Sequence, residues 1–119
     1  MNINIHHVTG NKVAEVTSEN TIMKNLEDAL ELIGNLYYQD ISKVIVYEKN
    51  LIPDFFDLQN KFAGDVLQKF SNYRIQLIFI GDFSKYNSRS MSGFIFESNK
   101  GKQINFVKTR DEAFSILRE

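Results

Sequence analysis

Two short apolar runs constrain the fold of this chain more than any other feature. They are Lys43–Tyr47 (KVIVY) and Ile75–Ile80 (IQLIFI), and Gly81 closes the second. Both are nearly continuous in apolar residues, without the strict alternation of a half-solvated strand. Such runs are typical of buried strands in parallel sheets, and parallel strands need crossover connections. The sequence therefore predicts a mainly parallel sheet.

Helical patterns separate these strands from further β segments. Two strands, Ile3–Val8 and Lys12–Thr17, are predicted to form a hairpin around a turn at Gly10-Asn11. A last strand is predicted at Gln103–Val107. The predicted order is β-β-α-β-α-β-α-β-α, a single α/β domain over residues 1–119 with a five-stranded mixed sheet and about four helices. The apolar stripes of the four helices are Leu26, Ala29, Leu30, Ile33, Tyr37; Phe55, Leu58, Phe62, Val66, Phe70, Tyr73; Met91, Phe94, Ile95; and Ala113, Ile116, Leu117.

Polar residues at the ends of the stripes predict the helix boundaries. Asn25 with Asp28 caps the first helix, which runs to about Tyr38. Asp54 caps the second helix, and Pro53 sets its first turn. The other predicted boundary residues are Ser90 and Gly101 for the third helix, Ser90 to Lys100, and Thr109 with Glu112 as a capping box for the fourth.

Composition limits the environment in which the chain is expected to work. There is no cysteine, which fits a reducing compartment. No apolar run approaches the roughly 20 residues that cross a bilayer, and the N-terminus MNINIHHVTG lacks the pattern of a signal peptide. We therefore expect a cytoplasmic protein without a membrane partner.

Charge is unevenly distributed along the chain. Glu15 to Asp65 holds ten acidic residues against four lysines, whereas Phe83 to Arg110 holds six basic residues against Glu97 alone. A basic segment attracts anions or an acidic partner. Its residues are spread over the segment and form no dense run, so a solvated surface is the simpler interpretation and no nucleic-acid partner is expected.

The candidate site lies where the predicted parallel strands end. Ligands of α/β sheets bind beyond the carboxyl ends of the strands, and here those ends lead into residues 48–57 and 82–90. We expect the two loops to line one polar cleft for a small ligand or a peptide. The candidate binding residues are Glu48, Asn50, Asp54, Phe56, Asp57, Asp82, Ser84, Lys85, Tyr86 and Arg89.

Catalytic and metal chemistry have little support in the sequence. A nucleophile site would need Cys, or a His near Ser84 or Ser90, and neither exists. His6 and His7 are adjacent on a strand and point to opposite faces. Asp54, Asp57 and Asp82 could offer oxygen ligands to Mg²⁺, but no metal and no cofactor is predicted. Enzyme activity is uncertain, and a non-enzymatic role is favoured.

Two adjacent phenylalanines interrupt this polar region. On a helix, neighbouring side chains point about 100° apart, so Phe55 and Phe56 are not expected to share one core stripe. With Phe55 in the core, Phe56 either forms a contact surface or packs under the Gly81 to Ser90 loop. Both alternatives stay open from sequence.

Long strings of this sequence resemble one bacterial family. YEKNLIPDFFDL, FAGDVLQKFSNY, IGDFSKYNSRSM and FIFESNKG together cover most of the chain. They are similar to the bacterial domain of unknown function 4180. This resemblance implies a fold shared with that family and no particular activity.

The element order is also similar to that of STAS domains, which include anti-sigma factor antagonists. In those domains, a loop after a buried strand carries an Asp-Ser-Ser-Gly type motif whose Ser is phosphorylated. Placed on this chain, the motif falls on Asp54-Phe55-Phe56-Asp57, and TRDEAFSIL resembles the usual ending. No Ser or Thr lies between Lys43 and Lys69, so the phospho-switch is not carried over.

Two hypotheses of function follow. The first is a regulatory module that binds a protein partner or a second copy of itself through residues 48–58 and 82–90. The second is a domain that binds an anionic metabolite or nucleotide, or a weak hydrolase, in the cleft between the loops.

Overall fold

The computed structural model describes residues 1–119 and contains five strands and four α-helices. The radius of gyration of 13.3 Å is close to the value of about 13.5 Å expected for one domain of this length. The elements are β1 Asn2–Val8, β2 Asn11–Thr17, α1 Leu26–Tyr38, β3 Lys43–Tyr47, α2 Phe62–Asn72, β4 Gln76–Ile80, α3 Arg89–Ser98, β5 Ile104–Val107 and α4 Arg110–Leu117.

The strands form one sheet in the order β1-β2-β3-β4-β5. β1 and β2 are antiparallel and the other pairs are parallel, which confirms the mixed, mainly parallel sheet. The hairpin turn lies at Thr9 and Gly10, one residue earlier than predicted. Both have positive φ, 48° and 85°, as a two-residue turn that follows the twist of the strands requires.

The sheet buries apolar side chains on both faces, as the two apolar runs predicted. One face carries the larger cluster, in which strand residues such as Val44 and Leu77 meet α1, α2 and Met91 of α3. The opposite face carries a smaller cluster around Ile45 and Ile78, and α4 is the helix that covers it. Unequal covering of the two faces leaves room for polar side chains on the α4 side.

The first helix begins at its predicted cap, but its buried face differs from the predicted one. Asn25 accepts a 2.8 Å hydrogen bond from the backbone N–H of Asp28. The buried residues are Ala29, Leu32, Ile33 and Leu36, whereas the predicted Leu30 and Tyr37 are exposed. Tyr37 instead meets the exposed Tyr73 of α2 edge-to-face at 5.6 Å. Both tyrosines had been predicted in core stripes.

The predicted second helix divides into 3₁₀ turns and a shorter α-helix. The turns Pro53–Phe56 and Leu58–Asn60 occupy its predicted start, and α2 begins only at Phe62. A further 3₁₀ turn, Glu48–Asn50, follows β3 directly. Lys61 adopts a left-handed conformation, with φ 65°, that separates the last turn from α2. Spacing of three residues occurs in both kinds of helix, which is why the apolar stripe extended into the turns. Asp54 therefore does not cap α2.

The boundaries of the last two helices agree with the sequence in part. Ser88, rather than Ser90, caps α3 by accepting a bond from the N–H of Met91. The left-handed glycine expected at Gly101 is absent, since Gly10 is the one glycine with positive φ. Thr109 caps α4 by accepting from the N–H of Glu112, as predicted.

Candidate functional site

The loops that follow β3 and β4 are in direct contact at their roots. Gly81, the residue after β4, lies against Glu48, the residue after β3. A Cβ atom added to Gly81 would be 2.4 Å from the Cβ of Glu48, closer than two non-bonded carbon atoms approach in proteins. A glycine is required here because any side chain would force the loops apart.

Glu48 then binds the second loop through its carboxylate. The Tyr86 hydroxyl donates a 2.6 Å hydrogen bond to Glu48 Oε2, and Lys85 Nζ lies 3.2 Å from the same oxygen. Burial, together with the hydrogen bond to Glu48, raises the pKa of Tyr86 above its ordinary value. These three predicted residues are therefore brought together, as a contact between loops.

Phe56 lies under the second loop. Its ring stacks on the ring of Tyr86 with centroids 3.9 Å apart and planes 12° apart, and only 7% of the residue is exposed. Phe55 is also buried and packs against Phe56 and Phe79. Of the two placements left open above, the one beneath the loop is correct. Rings in van der Waals contact leave no space for a ligand between the loops along this seam.

Asn50 serves the fold of a neighbouring loop. It is buried, and its Nδ2 donates to the backbone oxygens of Ser18 and Asn20 at 2.7 and 3.0 Å. Its backbone oxygen accepts from the N–H of Ile22, which fixes the connection between β2 and α1. The Asn50 Oδ1 atom is buried without a hydrogen-bond partner.

The remaining predicted residues are exposed and far less organised. Asp57 caps a 3₁₀ turn by accepting from the N–H of Gln59, and Asp54 makes no side-chain hydrogen bond. Asp82 accepts from the hydroxyl and N–H of Ser84, and these bonds lower the pKa of Asp82. Arg89 is exposed at the start of α3.

The carboxylates considered for Mg²⁺ do not form a metal cluster. No group of three or more His, Cys, Asp or Glu side chains lies within reach of one ion. A binding role for the ten predicted residues stays a prediction, and the geometry relates most of them to loop structure.

An apolar groove lies on the outer side of the second loop, and we call it the α3 groove. Its volume is about 330 Å³, and its walls are Phe83, Tyr86, Ile95, Phe106 and Val107. Ser84, Ser92 and Lys108 complete the lining. The groove stays open because α3 fully buries only Met91, whereas the sequence predicted three buried residues, Met91, Phe94 and Ile95.

Phe96 adds to the apolar surface of α3. Its side chain is 64% exposed, and Lys100 Nζ lies 4.6 Å from the centre of its ring. Ser92, which lines the α3 groove, is one helical turn before Phe96 and so lies on the same side of the helix. The weak packing of α3 is the signal that sequence analysis missed.

A second polar constellation surrounds Glu15 on the α4 face. Glu15 is 6% exposed, and its carboxylate accepts from Tyr47 Oη at 2.6 Å and contacts His6 Nε2 at 2.8 Å. Arg110 at the start of α4 donates from Nε and Nη2 at 2.9 and 3.1 Å. The network joins β1, β2, β3 and α4 through one buried carboxylate.

The electrostatics of this network follow from the paired charges. Hydrogen bonds from the Arg110 guanidinium outweigh burial and lower the pKa of Glu15 to about 2. Burial, and then the bond to Glu15, raises the pKa of Tyr47 to about 12. Glu15 is therefore an anion and Tyr47 a neutral donor at neutral pH, an arrangement that fixes position rather than transfers protons.

A polar pocket of about 650 Å³ opens beside Tyr47. It lies at the carboxyl ends of β2 and β3, where ligands of parallel sheets commonly bind. Its lining residues are Met1, Asn2, Thr17, Ser18, Glu19, Asn20, Tyr47 and Lys49.

Among the helices of the chain, none is long and apolar enough to cross a membrane.

Comparison with known proteins relates the chain to one family. Residues 8–117 match the family model described as Domain of unknown function (DUF4180). No curated protein and no solved structure matches the chain. The match confirms the resemblance seen in the long strings of the sequence. Because it covers nearly the whole chain, the protein belongs to the DUF4180 family.

Proposed function

We propose that this protein is a non-enzymatic bacterial regulatory module of the cytoplasm, which binds another protein at the α3 groove. The observation that carries the proposal is the open apolar surface of α3, where Phe83, Ile95 and Phe106 line a groove beside the exposed Phe96. Contiguous exposed apolar surface with a polar rim is typical of protein interaction sites. One aromatic or aliphatic side chain of the partner fits a groove of this volume as an anchor.

Charge indicates the chemistry of the partner. Phe83 to Arg110 carries six basic residues against Glu97 alone, and Lys108 lines the groove itself. An acidic segment with one apolar anchor is complementary to this surface. The charge of Lys108 in the groove lining also predicts that association slows as salt is raised.

The family fold is proposed to be STAS-like, in keeping with the element order. Phe55 and Phe56 stand where those domains carry the phosphorylated Ser and its neighbour, and both rings are buried here. Partner choice in this protein is therefore independent of phosphate at that loop, and the α3 groove takes over the recognition.

A photo-cross-linking amino acid at Ser92 tests the proposal. Ser92 lines the groove and is exposed, so a bound partner lies within reach of the probe. The same probe at Tyr38, which is 91% exposed on α1, reports random collisions. We expect one acidic protein to be cross-linked from position 92 only, identified by mass spectrometry after irradiation in cells.

Two variants distinguish specific binding of a partner at the α3 groove from non-specific adsorption to an apolar surface. Lys108→Glu reverses charge at the groove, and Ile95→Glu places a charge in its wall, with folding of both checked by circular dichroism. The adduct should disappear in both. Equal adducts from Ser92 and Tyr38, or an adduct unchanged in the two folded variants, would contradict the proposal.

A small ligand in the pocket beside Tyr47 is the second candidate function. Phe56 and Tyr86 stack between the two loops, whereas this pocket is open and polar, and its charged side chains are Lys49 and Glu19. An anionic metabolite or nucleotide suits those groups. In thermal-shift screening, a true ligand raises the melting temperature of the wild type and of Lys85→Ala, but not of Lys49→Ala. No shift with any anion tested would remove this candidate.

A further inference from the structure

The two edges of the sheet differ in how their backbone groups are protected. β5 has four residues, and the side chain of Asn99 forms hydrogen bonds with the backbone of its third residue, Phe106. Asn99 Nδ2 donates to the Phe106 oxygen at 3.1 Å, and Asn99 Oδ1 accepts from the Phe106 N–H at 2.7 Å. One amide thus occupies both backbone groups that an added strand would use at Phe106. This edge is closed to a further strand.

The β1 edge carries none of these protections. β1 has seven residues, NINIHHV, with no Pro, Lys, Asp or Glu among them. Proteins commonly protect free edges with short strands, Pro, inward charges or covering loops. A long strand that lacks them is a template for pairing with another strand.

The hairpin register determines which groups of β1 are free. Val8 and Asn11 flank the two-residue turn and form a hydrogen-bonded pair. Because such pairs alternate along the strand, Asn4 and His6 also direct their backbone groups to β2. The N–H and C=O groups of Ile3, Ile5 and His7 point away from the sheet.

The surface beside these groups is open. Ile5 is 43% exposed, although its cross-strand neighbour Ala14 is buried. A shallow groove of about 560 Å³ follows the strand from Ile5 to Thr9 and is bordered by Phe114 and Arg118. A second strand can therefore approach β1 without displacing any element.

We propose that β1 pairs antiparallel with β1 of a second copy of this chain, about a two-fold axis at Ile5. In this register Ile5 meets Ile5 of the second copy, and Ile3 meets His7 in both directions, so every outward backbone group finds a partner. The charges are compatible, since β1 has no Asp, Glu, Lys or Arg and neither His faces another His. The two sheets become one, and both of its outer edges are β5, closed by Asn99.

This interface is separate from the α3 groove, so the two proposals stand or fall independently. A pair of edge strands buries less than the ~1,200 Å² of a standard interface, so the dimer is expected to be weak. Sedimentation velocity over a concentration series reaching about 1 mM should show a reversible monomer–dimer equilibrium. A wild type that stays monomeric throughout would overturn the proposal.

Lysine substitutions identify the surface. Ile5→Lys opposes two charges at the axis and is expected to abolish the dimer. Leu30→Lys is the matched control, because Leu30 is 39% exposed and belongs to α1 rather than to β1. Dimerisation that survives in folded Ile5→Lys, or that is lost equally in Leu30→Lys, would place the interface elsewhere.

The register is tested by cysteine cross-linking. The chain has no native cysteine, so only the introduced residue reacts. At the concentrations where sedimentation shows the dimer, a short bis-maleimide should couple Ile5→Cys into a covalent dimer, whereas Leu30→Cys at the same concentration stays monomeric. A dimer that forms in solution but gives no cross-link at position 5 would overturn the two-fold axis at Ile5.

Discussion

Glu15 and Glu48 form the same kind of contact on opposite faces of the sheet, with different consequences. Each carboxylate accepts a 2.6 Å bond from a tyrosine, Tyr47 or Tyr86, and each lies beside one cation. Arg110 donates two hydrogen bonds to Glu15 through two nitrogens, and His6 adds a further contact. Glu48 has a single contact with the exposed Lys85.

The difference follows from the elements that each carboxylate joins. Glu15 lies in the middle of β2, so water is excluded and its charge must be compensated by fixed groups. Glu48 lies at the root of a loop and has one contact with Lys85 where Glu15 has two with Arg110, although the two cations are each about half exposed. The network of Glu15 holds α4 against the sheet, whereas the network of Glu48 is a contact between two loops.

Removing the two charges is expected to give unequal losses of stability. Glu15→Gln keeps the volume but removes a buried carboxylate that pairs with the half-exposed Arg110, so the free energy of unfolding should fall by about 2 kcal/mol. Glu48→Gln keeps a partner for Tyr86 and should lower it by about 1 kcal/mol. Urea denaturation at pH 7 measures both. Equal losses would mean that Glu15 is no better compensated than Glu48.

The pH dependence of stability sharpens the comparison. The pKa of Glu15 is about 2 in the folded protein against 4.5 for a free side chain. A lowered folded pKa stabilises above the unfolded value, and this contribution is lost as pH falls from about 4.5 towards 2. The shift corresponds to at most about 3 kcal/mol.

Glu15→Gln is the control for that measurement, since Gln resembles the protonated acid. Unfolding curves in urea between pH 7 and pH 2 should show wild type and variant converging as the pH falls. A constant difference between them would show that another group, such as Asp82, dominates the acid sensitivity.

The smallest effects are expected at the second loop. Tyr86→Phe keeps the ring on Phe56 and removes only the hydroxyl, so the free energy of unfolding should fall by about 1 kcal/mol. Lys85→Met removes a solvent-exposed ion pair and should change it by less than about 0.5 kcal/mol. Thermal unfolding monitored by circular dichroism is sensitive enough to order the two. A larger loss of stability in Lys85→Met than in Tyr86→Phe would show that the ion pair of Glu48 contributes more than its hydrogen bond to Tyr86.

Features that depend on neighbours in sequence were predicted well. The five strands, the hairpin and the caps Asn25 and Thr109 follow from contacts across a few residues. The second helix was predicted too long because 3₁₀ and α spacing overlap at three residues, and nothing local indicated the left-handed Lys61. The cap of the third helix was predicted at Ser90 and lies two residues earlier, at Ser88.

The candidate site was predicted as a region but not as an arrangement. Glu48, Lys85 and Tyr86 do meet, as the ends of neighbouring parallel strands should. The place of Phe56 under the second loop was one of two alternatives left open from sequence, because its stacking on Tyr86 joins residues 30 positions apart and no local pattern relates them. Arg110 is 95 residues from Glu15, and no local pattern relates the two.

The amino-acid sequence by itself determined the order of elements, the mainly parallel sheet and the positions of most strands. These depend on apolar spacing and on turn and cap residues, which act over one or two turns of chain. Tertiary structure alone decided that the loops close over Phe56, that α3 keeps an apolar groove, and that Asn99 protects one sheet edge while β1 stays free. Each of those results requires residues far apart in sequence to compete for the same space or the same hydrogen-bonding group.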